Sequence, residues 1–320
     1  MIESAQQNGV ELYCESQVTA IQQDDAGFTI QTPRTRFSTR VIINAAGIFA
    51  DRVAALVGAD NFKLTARKGE EYLLDSRLQG IVSHLIFPIP TATSKGVLII
   101  PTVDGPMMVG PTAEDTENRE DLATSFAGAD KIFAAVRQYC PAISERDTIT
   151  EFAGLRAIAD SNDFVIGPSA VKGFYNVAGI QSPGLTAAPA IALHVAELLR
   201  ADGMALVAKE DWKAEIDGPP HFARMSRTER QAAIQEDPAF GRIVCRCESI
   251  TEAEVLYAIR HGARTLDGVK FRVRAGMGRC QGGFCTTRIM DLIARETGIP
   301  LTSISKRGLN SEVCFPRHDG

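Results

Sequence analysis

Two short segments, Val244-Cys-Arg-Cys247 and Gly276-Met-Gly-Arg-Cys-Gln-Gly-Gly-Phe-Cys285, decide how the C-terminal third of this sequence is read. Cys14, Cys140 and Cys314 are scattered along the chain, whereas these four cysteines fall in two close pairs. Cys245 and Cys247 stand two apart, so an extended backbone projects both thiols to one side. Thr251-x-x-Glu254 directly after them is a capping box, opening a helix through His261 that Gly262 ends. Gly276, Gly278, Gly282 and Gly283 surround Cys280, letting a loop curl closely and turn backbone N–H groups toward sulfur. Thr286 and Thr287 follow Cys285 and start a helix to about Glu296. A helix N-terminus favours the thiolate, the form that binds metal. Four thiolates suit a tetrahedral zinc or a 2Fe–2S cluster, with four unrelated cysteines as the plain alternative. One intervening residue in the first pair and four in the second depart from the usual zinc spacing.

The rest of the composition narrows the setting. A chain of 320 residues accommodates two domains, and 45% apolar with 23% charged residues is ordinary globular usage. The net charge of −5 gives no electrostatic drive toward nucleic acid or an anionic membrane. No apolar run approaches the length of a membrane span, and MIESAQQNGVEL (residues 1–12) has neither the basic nor the apolar stretch of a signal peptide. The expected location is therefore the cytoplasm, where clustered cysteines mean metal or redox chemistry before disulfides.

Outward from the cysteines, residues 203–240 lose periodicity and gather charge and proline, and 206–240 reads as a linker between two domains. Residues 241–305 form a compact segment with three helical stretches, followed by a charged tail at 306–320. Residues 10–45 read as strands (GVELYCES, QVTAIQQD, GFTIQTP, FSTRVIINAAG) and FADRVAALVGA as a helix. Residues 60–112 are again strand-like with many prolines, 118–140 are helical, and DFVIGPSA and GFYNVAG are short strands. SPGLTAAPAIALHVAELLRADG is a long helix with small residues at its start.

VCRCESITEAEV and LDGVKFRVRAGMGRCQGGFC together resemble the Bfd-like 2Fe–2S domain, a small all-α module. The resemblance covers residues 243–300 and implies Cys245, Cys247, Cys280 and Cys285 as ligands of the cluster. Where that family tends to read Lys-Arg-Arg-Thr-Arg, this chain has Lys270-Phe271-Arg272-Val273-Arg274, a change that bears on a partner surface and not on the ligands.

The remainder resembles the large subunit of anaerobic glycerol-3-phosphate dehydrogenases, within the D-amino-acid-oxidase-like flavoproteins. VIINAAGIFAD, with the small Ala45, Ala46 and Gly47, resembles the family's turn beside the nucleotide part of FAD. In GIQSPGLTAAPAIA, Gly179 and Gly184 bracket a turn, and Leu185 and Thr186 begin a helix whose free N–H groups can face an electron-rich group. The resemblance sets this stretch against the flavin ring. Arg156 in FAGLRA falls where relatives hold a substrate anion, through the paired hydrogen bonds a guanidinium offers. Lys68 (RKGEEYLL) and Lys95 (SKGVLIIP) are candidate anion contacts, against the default of surface lysines, and His84 is a candidate base; His194 sits mid-helix and reads as packing.

The implied architecture is mixed α/β and α+β. It comprises a partial, Rossmann-like FAD-binding domain at 1–58 with a return segment at 154–205, and a β-rich substrate domain at 59–153. The G-x-G-x-x-G unit that binds the ADP end of FAD is not in this sequence. A separate chain supplying that unit, or a truncated start, is expected, with weak FAD binding otherwise. Three functions follow. The first is a flavin-dependent dehydrogenase of a small hydroxylated anion, glycerol 3-phosphate or a 2-hydroxy acid. Its electrons would leave through the cluster to an acceptor protein or quinone-linked subunit, which is also the only tie to a membrane. The second is a non-catalytic iron–sulfur electron-transfer subunit, and the third a zinc-binding interaction module.

Overall fold

The computed structural model describes residues 1–90 and 96–315 and divides into two compact units, Met1–Glu215 and Ile216–Gly320. The first contains α1 (Ile2–Gln7), β1 (Ala20–Asp24), β2 (Gly27–Gln31), β3 (Arg36–Thr39), β4 (Ile42–Asn44), α2 (Ala50–Ala55) and β5 (Leu64–Leu74). It continues through β6 (Leu98–Pro101), β7 (Met107–Gly110), β8 (Glu114–Thr116), α3 (Phe126–Tyr139), β9 (Thr148–Ala159), β10 (Val165–Pro168), β11 (Phe174–Ala178) and α4 (Gly184–Ala201). The second contains α5 (Arg227–Glu236), β12 (Ile243–Cys245), β13 (Ile250–Thr251), α6 (Glu252–Arg260), α7 (Leu266–Val273) and α8 (Thr286–Thr297).

β5 is the axis of the larger sheet. It pairs antiparallel with β9 from Leu64↔Ala159 to Leu74↔Thr148, and on its other edge with β7 and β8. Alternation along β5 buries Leu64, Ala66, Glu70, Tyr72 and Leu74. The lower part of that face packs on α3, where Ile132, Phe133 and Val136 are buried with Tyr72 and Leu74. Ser125 caps α3, accepting from Gly128 N–H at 3.0 Å. Replacing Phe133 by Ala would cost about 3–5 kcal/mol.

A smaller sheet runs β10-β11-β4, with β10 and β11 antiparallel and β11 and β4 parallel. Because β4 and β11 run the same way, the turns leaving both strands emerge at one end of the sheet. α4 leaves from the second turn and packs Val195 and Leu199 against Tyr175 of β11.

Several expectations change. The stretch FSTRVIINAAG is two strands in different sheets, because Thr39 folds its hydroxyl onto Val41, donating to its carbonyl at 2.9 Å. Residues 9–16 form no strand among the described residues. Val10, Leu12 and Tyr13 stay exposed, and a strand without a ladder partner has nothing to fix it. Among the described residues IVSHLIFPIP makes only the bridge Ile86↔Ile99, since Pro88 and Pro90 lack the N–H a ladder needs. The boundary expected between 153 and 154 falls inside β9. The segment expected as linker holds α5, opened by a capping box between Ser226 and Glu229.

In the second unit α6, α7 and α8 enclose a core of Val255, Ile259, Val269, Val273, Ile289 and Ile293, among others. The capping box at Thr251 and Glu254 forms as the sequence predicts, and α6 ends at His261.

Candidate functional site

The cysteine pairs meet. Cys245 ends β12 and Cys285 sits at the N-cap of α8; each is 1% exposed, and the two thiols lie close enough to shift each other's titration. Cys247 and Cys280 lie nearer solvent, with their Sγ atoms 3.5 Å apart. Backbone N–H groups converge on the sulfurs. Those of Gly276 and Glu248 lie toward Cys245, that of Cys280 toward Cys247, and those of Phe284 and Gly282 toward Cys280. The neighbouring Cys285 thiol and these amides hold the Cys245 thiol well below its ordinary range against the effect of burial, while the proximity of Cys245 pushes Cys285 up.

The glycines make this approach possible. Gly276 and Gly282 have φ of +91° and +92°, and a Cβ on Gly278 would lie 2.4 Å from the Cβ of Cys247. Among the described residues no group of three or more His, Cys, Asp or Glu side chains is arranged around one ion. The sulfurs meet two by two instead, and two thiolates for each of two metals is the donor set of a 2Fe–2S centre. The residues present fit that group.

At the end of the smaller sheet, Ala45, Ala46 and Gly47 form the turn after β4, and Gly179–Gly184 the turn after β11. Buried Asn44 locks the first turn, its amide donating to Ala50 O (2.8 Å) and Asn176 Oδ1 (3.0 Å). A Cβ on Gly179 (φ +65°) would meet Ala159 Cβ at 2.9 Å, and one on Gly184 would meet Ile180 Cγ2 at 2.4 Å. α4 starts without a side-chain cap; the Gly184 N–H donates to Gln181 O at 2.7 Å, and the N–H groups of Leu185 and Thr186 follow it, with Leu185 81% exposed. An apolar groove of about 470 Å³ runs beside them, lined by Ile43, Ala45, Val177, Ile180, Ala188 and Val195. Cofactors bind at the carboxyl ends of parallel strands in α/β sheets, and these residues leave the backbone room one needs. They fit FAD at this place.

On β5 and β9, opposed residues share a face. Arg67 lies opposite Arg156, and Gly69 opposite Gly154. Arg156 leans across Gly69, where an added Cβ would fall 2.4 Å from its Nη2. It is half-buried and makes no ion pair among the described residues, reaching only Thr112 O at 3.4 and 3.5 Å. Glu71 stands on the same face, with Oε2 buried and without a hydrogen-bond partner among the described residues. Burial pushes its carboxyl up to about 7, against the pull of the Arg156 charge. Burial also lowers the pKa of Arg156, which Glu71 partly offsets.

Residues 1–198 match the family described as FAD dependent oxidoreductase, and residues 243–295 the BFD-like 2Fe-2S binding domain. The chain belongs to the FAD dependent oxidoreductases. It is 41% identical over 309 residues to a glycerol 3-phosphate dehydrogenase of Caloramator mitchellensis, covering 96% of this chain and 64% of that protein. The FAD-bound, dithionite-reduced L-alpha-glycerophosphate oxidase of Mycoplasma pneumoniae matches with a TM-score of 0.60 and 31% identity, over 65% of this chain and 56% of its own. A subunit A1 of anaerobic glycerol-3-phosphate dehydrogenase from Haloferax volcanii is 25% identical, over 80% of this chain and 48% of that one. The chain thus spans less than two thirds of each. FAD and a 2Fe–2S cluster are the cofactors of the two matched families.

Within this member of the family the remaining candidates separate. Lys68 projects to the face of β5 opposite Arg156, where its ammonium donates to Asp121 Oδ2 (2.8 Å) and Ala123 O (3.0 Å). His84 is exposed and hydrogen-bonds Ser83 Oγ at 2.8 Å, and Lys95 lies outside the described residues. Sequence reasoning missed Glu71, whose signal is its even spacing from Arg67 on a strand of period two. It also missed Arg119, which grips both carboxylate oxygens of Asp51 (2.6 and 2.7 Å) and the carbonyls of Ile48 and Leu64. Arg119 thereby ties the turn at Gly47 to β5.

Proposed function

We propose that this chain is part of a flavin-dependent dehydrogenase of a small hydroxylated anion, glycerol 3-phosphate or a 2-hydroxy acid. When bound, FAD supplies a two-electron hydride acceptor and the 2Fe–2S centre a one-electron carrier. Arg156 holds the substrate's anionic end through paired N–H donors, and Gly69 beneath it lets the guanidinium lie flat against the sheet. The uncapped start of α4 at Leu185 and Thr186 offers N–H groups and a positive helix end to developing negative charge. Ala46, Gly47, Gly179 and Gly184 keep side chains out of the cofactor's space. Cys245, Cys247, Cys280 and Cys285 hold the cluster, from which electrons pass to an acceptor protein or quinone-linked subunit in the cytoplasm, at the membrane only through that partner. Among the described residues no helix is long and apolar enough to cross a membrane.

β4 is an edge strand, with Ile43 46% exposed beside the apolar groove. A nucleotide-binding βαβ unit would pair with that edge and complete the FAD site.

The observation that carries the substrate class is the half-buried Arg156, which makes no ion pair among the described residues, on a glycine floor. The test is anaerobic titration of the FAD-reconstituted chain, following flavin bleaching near ~450 nm, an absorption that belongs to the cofactor itself. Bleaching by glycerol 3-phosphate or a 2-hydroxy acid, lost in Arg156→Ala, is expected. Brown, iron-loaded protein that binds no flavin would leave electron transfer as its sole role.

A further inference from the structure

Glu70 and Glu71 are neighbours on β5 with opposite surroundings. Glu70 turns toward α3, accepting from the N–H and the hydroxyl of Ser125 at 2.9 Å each and from the Tyr72 hydroxyl at 3.3 Å. Its hydrogen-bonding capacity is used inside the fold. Glu71 projects to the face that carries Arg156, and among the described residues its buried Oε2 accepts from nothing. Buried carboxyl oxygens are nearly always hydrogen-bonded, and leaving one empty costs on the order of the lost bond. A retained exception calls for a donor that arrives from outside.

The ground around it is cleared. A Cβ on Gly110 would come within 2.7 Å of Glu71 Oε2, one on Gly69 would strike the Arg156 guanidinium, and one on Gly154 would meet nothing within 4 Å. Gly69 and Gly110 are thus covered by Arg156 and Glu71 themselves, and Gly154 leaves exposed bare backbone beside the cation and the acceptor. A ligand lying there offers an anion to Arg156 and a donor to Glu71. The only donor a small oxyanion substrate of the proposed reaction carries is a hydroxyl.

We propose that Glu71 is a specificity residue: its buried oxygen accepts a hydrogen bond from a hydroxyl of the substrate whose anionic group Arg156 holds. The bare strand at Gly154 is the floor on which that substrate lies. The selected class is an anion bearing a hydroxyl on its short carbon chain, phosphate or carboxylate alike. This rests on the anion site proposed at Arg156. A pocket built to hydrogen-bond a hydroxyl rejects the deoxy counterpart strongly, because its own buried group is then left unpaired.

The test is calorimetric titration of the full chain, with excess FAD, using matched pairs: glycerol 3-phosphate against propyl phosphate, and lactate against propionate. The pair whose hydroxylated member binds identifies the anion. Wild-type protein is expected to prefer that member at least ~10-fold over its deoxy partner. Glu71→Ala should collapse the preference toward unity while leaving affinity for the deoxy compound within about twofold. Gly154→Val places a side chain in open space, so the fold is retained, and should weaken both members together. Discrimination unchanged in Glu71→Ala, or unchanged binding in Gly154→Val, overturns the proposal while the anion site stands. Wild-type protein that binds none of the four, or binding indifferent to Arg156→Ala, overturns the anion site and this inference with it.

Discussion

Cys247 Sγ lies 3.5 Å from Cys280 Sγ although 33 positions separate them, and this pair lies nearer solvent than the buried Cys245 and Cys285, which neighbour each other. That division predicts a stoichiometry. Anaerobic reconstitution should load two irons and two sulfides per chain, read by iron and sulfide assay and by a broad visible spectrum. Serine at Cys245 or Cys285 should abolish loading, because the inner metal loses a ligand that burial keeps water from replacing. Serine at the outer Cys247 or Cys280 should leave a labile, partly loaded centre. Colourless protein with one tightly bound zinc would contradict the pairing.

Glu254 is 1% exposed and serves both ends of its own motif. Its Oε2 accepts from Thr251 N–H (2.7 Å) and Thr251 Oγ1 (2.8 Å), and its Oε1 from Phe222 N–H (3.2 Å). Glu254→Ala would strand these buried donors and cost about 3 kcal/mol, more than an exposed cap returns. Because Thr251 follows Cys247 by four residues, cluster retention should fall with stability. Denaturant unfolding of the iron-loaded chain, followed at a visible wavelength and by far-UV circular dichroism, checks both.

Thr251 and Glu254 were legible in the sequence because a capping box is local: three residues fix its meaning. The same signal stood at Ser226 and Glu229, yet proline and charge around it led to a linker reading, and α5 was missed. The four cysteines were legible as a set for a related reason, since spacing within each pair is local and only the meeting of the pairs is tertiary. Glu71 was not legible. Its neighbour Glu70 has the same identity and a different fate, decided by Ser125, Gly110 and Arg156 on other elements. The split of FSTRVIINAAG between two sheets hid likewise, in the turn Thr39 makes with Val41. Lys68 read as an anion contact until the register set it on the far face of β5.

Gly179 should tolerate no side chain. Its φ of +65° disfavours any Cβ, and the added atom would sit 2.9 Å from Ala159 Cβ and 3.2 Å from Asp163 O. The backbone term alone is about 1 kcal/mol, and overpacking against β9 adds about 1–3 more. Gly179→Ala should therefore lower the melting temperature by several degrees and weaken FAD retention. Gly47→Ala, where a Cβ meets nothing within 4 Å, should cost about the backbone term alone. Thermal melts of the two variants side by side separate clash from conformation.

The Glu71 carboxyl makes stability depend on pH in a direction opposite to that of a salt-bridged acid. Burial raises it from 4.5 to about 7, so between those values the folded chain keeps a proton that the unfolded chain releases. The folded state binds more protons, and stability falls as pH rises. The contribution is fully present below about pH 4.5 and is lost through about pH 7, amounting to roughly 1–3 kcal/mol once partial solvent contact is allowed for. Glu71→Gln carries no ionisable group, so its urea midpoint should change less between pH 5 and 8 than that of wild type. At pH 8, where wild type holds a buried charge, the variant should be the more stable of the two. Asp51 runs the other way: burial raises its pKa, but the Arg119 guanidinium and the amides of Leu64 and Arg52 outweigh that and hold it below the usual carboxylate range. Its share of stability is lost as pH falls below about 4, outside the Glu71 window, so the two groups are resolved in one pH series.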